Sequence, residues 1–456
     1  MKKNKNIIKS ILLIFLIALG SCDVLEQEPA DLIDNELAIV DARSAEAAVI
    51  GLYDNLQSGS LYGGEFIMAV EMIGNNARPA AFQAFWAELG SGRVPPANAY
   101  IEDAWVSSYA VINLSNAIIA NVPDLGDMSA EAKNEALGVA YFMRGLIFFD
   151  LLRQYGEFED LNSTFGIPIK LEPALEFTLA ETSRSTVAQS FQQIENDLNE
   201  AINRLPDTNN KFFASLGAAH ALLARVHLYQ KEYAEAEMYA EAVIANTSYS
   251  LSSDYNEIYI NEGESGSPES IFELNFIELN DPNAWAVAMY NAPPEVATTR
   301  ELFDFYNDRG ETSRNALYED LGSVIRCLKY GNINTDNGEN TILFRLSEMY
   351  LIRAEAQALK TGGRPEDALA DINTIRNRAG LASLDAVDID TESELLAVLI
   401  DERRAEFAFE GHYKFDLIRY DLFEEVLGLE SFRRRLPIPL REMNITDGAL
   451  VQNPNY

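Results

Sequence analysis

Apolar residues recur at the spacing of an α-helix through most of this chain. The segments with that spacing are Ala45–Leu56, Ala104–Ala120, Ala130–Tyr155, Val187–Leu205, Leu216–Tyr229, Tyr233–Asn246, Ile342–Lys360, Pro365–Arg378 and Glu392–Phe409. Each of them is long enough to form three or more helical turns. The pattern therefore predicts a mainly α fold.

Two pairs of these helices share one alanine spacing. Ala224 and Ala236 are twelve residues apart across a short break, and so are Ala356 and Ala368. Antiparallel helices approach closely only where both carry small side chains, as in tetratricopeptide-type (TPR-type) pairs. The spacing favours a TPR-like scaffold of helix pairs, and unrelated Ala-rich hairpins are the alternative.

Glycine and proline mark three of the helix boundaries. Pro365 suits the first turn of a helix, where its missing N–H has no partner to lose. Gly380 and Gly411 fall where helices are expected to stop, which predicts left-handed backbone at both positions.

Strand signals are few. Ile271–Phe276 alternates apolar and polar residues, which predicts a strand. Gly166–Ile169 and Leu436–Leu440 are expected to be extended around their prolines.

The helical spacing lapses in two regions. Between about residues 247 and 340, Gly, Ser, Asn, Asp and Pro become frequent. We interpret this stretch as an irregular, loop-rich insert with minor β structure, carried on a helical scaffold of residues 36–246 and 341–430. Gly74–Ala99 is a second loop-rich patch between the first helices.

The N-terminus has the pattern of an export signal. Four lysines precede the apolar run Ile11–Leu19, which spans only about 14 Å as a helix and is too short to cross a bilayer. Leu19-Gly20-Ser21-Cys22 resembles the bacterial lipobox, in which the cysteine is acylated. We therefore expect residues 1–21 to be a lipoprotein signal peptide and Cys22 to be lipidated. An ordinary signal peptide with a chance cysteine is the alternative.

Composition excludes several classes of function. The chain has 456 residues, and its 71 acidic against 35 basic residues give a formal net charge of −36. That balance argues against binding to the phosphate backbone of a nucleic acid. Three histidines and two cysteines supply a Cys/His zinc site poorly, and once Cys22 is acylated Cys327 has no disulfide partner.

The C-terminal third carries the clearest motifs, which are the segments Arg345–Ala356, Asn373–Leu381, Glu402–Phe407, Glu410–Tyr420, Leu436–Pro439 and Gln452–Tyr456. This block resembles the SusD/RagB family of outer-membrane nutrient-binding lipoproteins. Upstream, Trp105–Asn116 and Tyr141–Gly156 are similar to early helices of the family. The resemblance covers residues 22–456 as a single domain. His412 departs from it, because the family often has arginine there.

The resemblance implies a role rather than a substrate. Members of the family are expected to sit at the cell surface, anchored by lipid to the outer membrane. There they capture a ligand for a SusC-like TonB-dependent transporter. The ligand is usually an oligosaccharide and sometimes a peptide, so a peptide-binding member is one alternative.

A second alternative is a glycan-cleaving enzyme, since glycosidases use two carboxyl groups. Glu402, Glu406 and Glu410 lie at i, i+4 and i+8, where like charges repel unless cations accompany them. The cations that could do so are Arg376, Arg378, Arg403, Arg404 and Arg419. A structural ion network is the preferred interpretation. No Gly-x-Ser-x-Gly elbow is present, and we predict no catalytic residue.

The sequence also predicts no metal site and no cofactor. His220 and His227 are two turns apart on one helix, too far separated for one ion without a third ligand. Asn332–Gly338 only weakly resembles a calcium loop, because its glycine is one position late.

Oligosaccharides present apolar C–H faces that lie against aromatic rings and hydroxyls that pair with polar side chains. The two loop-rich regions contain such groups. The candidate ligand-binding residues are Asn76, Arg78, Phe82, Trp86, Trp285 and Tyr290. For the tryptophans, burial in the core is the alternative.

Overall fold

Helices dominate the computed structural model, which describes residues 39–81, 83–174, 183–259, 266–276, 294–330, 340–389, 391–446 and 448–456. The first eight are α1 (Ala42–Leu56), α2 (Glu65–Ile73), α3 (Ala84–Gly90), α4 (Ala99–Asn121), α5 (Ala130–Tyr155), α6 (Val187–Ile202), α7 (Leu216–Gln230) and α8 (Tyr233–Ile244). They are followed by α9 (Arg300–Asp308), α10 (Leu346–Leu359), α11 (Pro365–Arg378), α12 (Glu392–Phe407), α13 (Tyr413–Arg419), α14 (Phe423–Leu427) and α15 (Leu440–Ile445). The mainly α prediction is confirmed.

Local capping interactions explain where several helices begin and end. Thr186 and Thr391 each form a capping box, in which the threonine and the third residue of the helix satisfy each other's backbone N–H. Pro365 occupies the first position of α11, as predicted. Gly380 and Gly411 have φ of 82° and 78°, so both predicted left-handed positions are confirmed.

The long helices pack mainly against their neighbours in sequence. Extensive contacts join α4 to α5, α5 to α6, α7 to α8 and α10 to α11. Helix α8 also packs against α10, although the insert separates them in the chain. The scaffold is therefore continuous across the insert, in the manner of stacked helix pairs.

The predicted alanine positions lie inside these pairs. Ala224 on α7 and Ala236 on α8 are fully buried, and so are Ala356 on α10 and Ala368 on α11. A larger side chain at any of them must displace the facing helix, because protein interiors are close-packed. The TPR-like scaffold is confirmed.

Replacing Ala236 by leucine should lower the free energy of unfolding by about 1–3 kcal/mol, the usual cost of overpacking. Ala234 provides the matched control, since it lies on the same helix and is exposed. Ala234→Leu should leave stability nearly unchanged. Urea unfolding followed by circular dichroism measures both variants, and equal destabilisation would contradict close packing between α7 and α8.

The strands form two small antiparallel sheets. The strands are β1 (Ala77–Pro79), β2 (Ser270–Leu274), β3 (Val296–Thr298), β4 (Tyr318–Asp320), β5 (Ile325–Cys327) and β6 (Thr341–Arg345). One sheet has the order β1-β3-β5-β4, and the other pairs β2 with β6. The first sheet combines a strand of the early loop-rich patch with strands of the insert.

One expectation about the second sheet is wrong. The segment Ile342–Lys360 does not begin as a helix, because its first residues form β6 and α10 starts only at Leu346. The strand predicted within Ile271–Phe276 is present as β2, and every residue of β2 is buried. Its polar member, Glu273, accepts a hydrogen bond from Asn340 at 3.0 Å. Burial raises the pKa of the Glu273 carboxyl.

A buried ion network joins the insert to the scaffold. Arg314 of the insert contacts Glu402 at 2.5 Å and Glu406 at 2.7 Å, both on α12. Lys329, also of the insert, contacts Glu410 at 2.8 Å, and Arg345 at the end of β6 contacts the same glutamate at 2.6 Å. All three carboxylates are almost completely inaccessible to solvent. The predicted structural role of these glutamates is therefore confirmed.

The predicted cations of this network are only partly right. Arg376 contacts Glu402 at 3.2 Å, and Arg378 pairs with Glu406. Arg403 and Arg419 instead bind Asp416, at 2.8 and 2.7 Å. Arg404 pairs with Glu301 at 3.1 Å. Arg403 and Arg404 lie on α12 itself but leave it on other faces than Glu402 and Glu406, and Arg419 lies on α13.

Candidate functional site

Strand pairing brings the two loop-rich regions together. Arg78 and Pro79 of the early patch pair with Ala297 and Val296 of the insert. The pairing continues beyond the strands, because the Ala80 and Ala81 amides donate to the Glu295 carbonyl at 2.7 and 3.2 Å. The regions predicted to bind ligand therefore share one sheet. We call the surface around it, carrying Glu65, Arg78, Asp103, Glu295 and Ser323, the junction surface.

Arg78 is the half-buried cation of the junction surface. Its guanidinium donates to the Ser323 carbonyl at 3.1 Å and to its neighbour's carbonyl, that of Pro79, at 3.4 Å. Within the part of the chain that the structure describes, no carboxylate forms an ion pair with it. Since a guanidinium has five N–H donors, it keeps donors for hydroxyl or carbonyl oxygens of a ligand.

Three carboxylates, those of Glu65, Asp103 and Glu295, also belong to the junction surface. Burial raises the pKa of Glu65, and the negative charges of Asp103 and Glu295 raise it further. Glu295 also accepts a hydrogen bond from the Trp86 indole at 3.4 Å. Carboxylates accept hydrogen bonds from sugar hydroxyls, so the surface offers acceptors as well as the Arg78 donors.

Two predicted ligand residues are structural in this conformation. Asn76 has no exposed surface, since its amide donates to Glu71 at 2.8 Å and its carbonyl accepts from Arg404 at 3.1 Å. Trp86 is 1% exposed, with its ring 4.5 Å from that of Phe85. It is buried because the loop-rich patch contains α3, which directs Trp86 into the core. Neither offers a ligand a contact surface here.

Of the other predicted residues, Arg78 lies on the junction surface, and its ligand role stays a prediction. Phe82, Trp285 and Tyr290 lie outside the described residues, as do Cys22 and the loop Asn332–Gly338.

Sequence reasoning missed the carboxylates Glu65, Asp103 and Glu295. Glu65 lies on α2, Asp103 lies on α4 and Glu295 directly precedes β3, and no motif spaces them. The chain has 71 acidic residues, and these three converge only through folding. The sequence alone therefore does not distinguish them from the other acidic residues.

A different group of side chains has the composition of a metal site. Ligand atoms of Glu195, His227 and Glu232 lie within 4.8 Å of one another. The group does not include His220, and the other two members are glutamates. His227 Nδ1 lies 2.6 Å from Glu232, which is the distance of a hydrogen bond.

Among the residues that the structure describes, no helix combines the length and the apolar character needed to cross a bilayer.

The stacked helix pairs and sheet-bearing insert are the architecture of the SusD superfamily. A SusD superfamily protein from Bacteroides thetaiotaomicron superposes with a TM-score of 0.81 at 25% identity, covering 91% of this chain and 100% of that one. A laminarin-binding SusD-like protein has a TM-score of 0.74 at 23% identity, with 91% and 100% covered.

Sequence comparison then identifies the family. The model of the SusD family matches residues 304–434, and a model described as starch-binding and associating with the outer membrane matches residues 26–228. A SusD-like protein of Formosa agariphila is 27% identical over 531 aligned positions, which cover 100% of both chains. This chain belongs to the SusD/RagB family, and the resemblance noted from its motifs is confirmed.

Proposed function

We propose that this chain is a lipid-anchored outer-membrane protein that binds an oligosaccharide at the junction surface. It hands the oligosaccharide to a SusC-like TonB-dependent transporter and does not cleave it. The observation that carries the proposal is the pairing of β1 with β3, which unites the two loop-rich regions around Arg78. Relatives described as binding starch and laminarin support a glycan as the ligand.

The chemistry of the junction surface suits a neutral glycan. Arg78 offers N–H donors, and Glu65, Asp103 and Glu295 offer acceptors, so both halves of a hydroxyl group find partners. Aromatic rings stack on the C–H faces of sugars, and we assign that part to Phe82, Trp285 and Tyr290. Three carboxylates and a net charge of −36 disfavour polyanionic glycans, because like charges repel during encounter.

Catalysis is not part of the proposal. Glu402, Glu406 and Glu410 are enclosed by arginine and lysine side chains, which keep them charged and inaccessible. A glycosidase needs one carboxyl group that is protonated and within reach of the glycosidic oxygen. The surrounding cations oppose protonation, since they lower the pKa of Glu402, Glu406 and Glu410 against the effect of burial.

The test is isothermal titration of the chain with maltooligosaccharides, laminarin oligosaccharides, an oligouronate and a set of short peptides. Neutral oligosaccharides should bind, and Arg78→Ala should weaken binding about 10- to 100-fold, because a charge-assisted hydrogen bond contributes about 1.5–3 kcal/mol. Arg43→Ala, on the exposed start of α1, is the control and should leave the dissociation constant unchanged.

Three other outcomes contradict the proposal. Binding of peptides alone would make the chain a peptide-binding member of the family. Release of shorter sugars by the purified chain would make it an enzyme. Equal binding by Arg78→Ala and the unmodified chain would remove the junction surface as the site.

A further inference from the structure

Helix α6 and the turn between α7 and α8 bring three side chains with metal-binding groups together. Glu195 lies on α6, His227 lies in the last turn of α7, and Glu232 directly precedes α8. One ligand atom of each lies within 4.8 Å of the other two. An imidazole and carboxylates are ligand types of zinc sites. We call these three residues the α6–α8 cluster.

The backbone of the turn places Glu232 beside His227. Lys231 ends α7 with left-handed backbone, at φ of 63°. The Glu232 amide then donates to the His227 carbonyl at 2.9 Å, and the Lys231 amide donates to the Leu228 carbonyl at 3.1 Å. These two hydrogen bonds form a Schellman motif, which the backbone makes without help from side chains. The imidazole and the carboxylate are therefore adjacent before any ion binds.

Neighbouring side chains orient the other two members of the cluster. The side-chain amide of Gln230 donates to Glu195 at 2.5 Å. The Tyr239 ring lies parallel to the His227 imidazole, with ring centres 5.5 Å apart and 6° between the planes. The His227 side chain is 9% exposed, whereas that of Glu232 is 45% exposed. Groups that orient the ligands strengthen metal binding, and the exposed side of the cluster lets an ion enter from solvent.

The charge of the cluster favours a cation. Among the described residues, neither Glu195 nor Glu232 forms an ion pair with a lysine or an arginine, unlike the glutamates of the buried ion network. Burial raises the pKa of the neighbouring Tyr239, and the negative charges of Glu195 and Glu235 raise it further. Two carboxylates this close repel each other. A divalent ion removes that repulsion and takes the place of the proton between His227 and Glu232, which lie 2.6 Å apart.

The ligand types narrow the choice of ion. Calcium and magnesium prefer oxygen ligands, so an imidazole contributes little to their binding. Zinc accepts both nitrogen and oxygen, at bond lengths of about 2.0–2.2 Å. Ligand atoms around a tetrahedral zinc ion are therefore about 3.3–3.6 Å apart. The 2.6 Å separation of His227 and Glu232 has to widen, which the half-exposed Glu232 side chain permits.

We propose that Glu195, His227 and Glu232 bind a zinc ion, with water completing its coordination. The ion joins α6 to the turn between α7 and α8 and so stabilises this part of the scaffold. None of the three residues belongs to the junction surface, and the proposal does not rest on the oligosaccharide site. The sequence-based expectation of no metal site rested on the separation of His220 from His227, and His220 is not among these ligands.

The first experiment is isothermal titration of the full chain with zinc chloride, after purification without a histidine tag and dialysis against EDTA. Calcium and magnesium chloride are the comparison ions, and zinc should bind at least about 10-fold more tightly than either. Glu195→Gln and Glu232→Gln keep the size of the side chain and remove its charge. Each should weaken zinc binding about 10-fold or more, because even groups that only orient metal ligands contribute about 10- to 100-fold.

Glu235→Gln is the matched control, since this exposed glutamate lies on α8 but outside the cluster. It removes the same charge and should bind zinc as the unmodified chain does. Arg78→Ala should also leave zinc binding unchanged, which separates this site from the junction surface.

The histidines give a second readout on the unmodified chain. The sequence contains only three, so their imidazole nitrogen signals in NMR are assigned by single substitutions. Zinc should shift the signals of His227 and leave those of His220 and His412 in place. At about a hundredfold excess of zinc over its dissociation constant, the melting temperature should rise by about 3 °C.

Three results would overturn the proposal. Zinc that binds no more tightly than calcium would indicate adsorption to the many exposed carboxylates. His227 signals that zinc does not shift would remove the imidazole as a ligand. Zinc binding by both glutamine variants at the strength of Glu235→Gln would remove the two carboxylates.

Discussion

Replacing Glu406 by glutamine is expected to lower the free energy of unfolding by about 3–5 kcal/mol, because it leaves buried arginines without their counter-charge. Glu406 is fully buried and contacts Arg314 and Arg345 at 2.7 and 2.5 Å. It also pairs with Arg378. These arginines come from three different segments of the chain. Urea unfolding followed by circular dichroism at pH 7 measures the loss.

Glu430→Gln is the control for the Glu406 substitution. Its carboxylate is exposed and pairs with Arg433 at 2.7 Å, where solvent screens the charges. We expect no measurable change in stability from this second substitution. A stability loss in Glu406→Gln no larger than in the control would show that the buried network contributes little.

The pH dependence gives an independent readout of the same substitution. Burial raises the pKa of Glu406, but the guanidinium groups of Arg378, Arg345 and Arg314 outweigh it and hold that pKa well below its ordinary value of 4.5. A carboxyl with a lowered folded-state pKa stabilises the protein above its unfolded-state pKa and loses that contribution as the pH falls through the folded-state pKa. The unmodified chain should therefore lose stability below about pH 4.5 more steeply than Glu406→Gln. Parallel acid-unfolding curves for the two would contradict the assignment.

This network also shows how far the sequence could predict the fold. The clustering of Glu402, Glu406 and Glu410 was visible, since their spacing is local, although α12 ends at Phe407 and Glu410 does not continue the helix as expected. Arg314 and Lys329 were not expected as partners, because they lie in a segment without periodicity and approach α12 only through folding. Local patterns predict the scaffold helices because helical spacing is a local property. They do not predict what packs between the helices, because that depends on contacts between segments distant in the chain.

Helices within glycine-rich or irregular stretches were missed in the same way. Helix α2 lies between glycines at both ends, and α9 lies inside the insert, so neither has the length of apolar spacing that identifies the scaffold helices. Strand β6 was assigned to a helix because a buried strand and a buried helical turn are equally apolar over five residues. Pairing with β2 decides in favour of the strand. Because this pairing is long-range, the local pattern does not show it.

The candidate site was predictable as a region and only partly as residues. The loss of helical spacing identified both loop-rich regions, and the pairing of β1 with β3 joins them. Asn76 and Trp86 looked like ligand groups because a polar or aromatic residue in a loop-rich stretch is usually exposed. Here Asn76 is bound by Glu71 and Arg404, and α3 turns Trp86 inward. Exposure depends on neighbours that composition does not specify.

Replacing Cys22 by serine is expected to move the exported protein almost completely from the membrane fraction to the soluble fraction. The proposed lipidation attaches acyl chains to this sulfur, and each buried CH₂ contributes about 0.8 kcal/mol of membrane affinity. Serine has no thiol to acylate. Fractionation of cells that express each variant, with metabolic labelling by a fatty-acid analogue, measures both the anchor and its attachment.

Cys327→Ala is the matched control for the anchor, because it removes the other cysteine of the chain. Cys327 is 2% exposed, and burial raises the pKa of its thiol to about 12, so it stays protonated and unreactive at physiological pH. This variant should keep both label and membrane association. Label retained in Cys22→Ser would place the lipid elsewhere. Loss of label without release from the membrane would mean that protein contacts, such as those with the proposed transporter, are enough to hold the chain there.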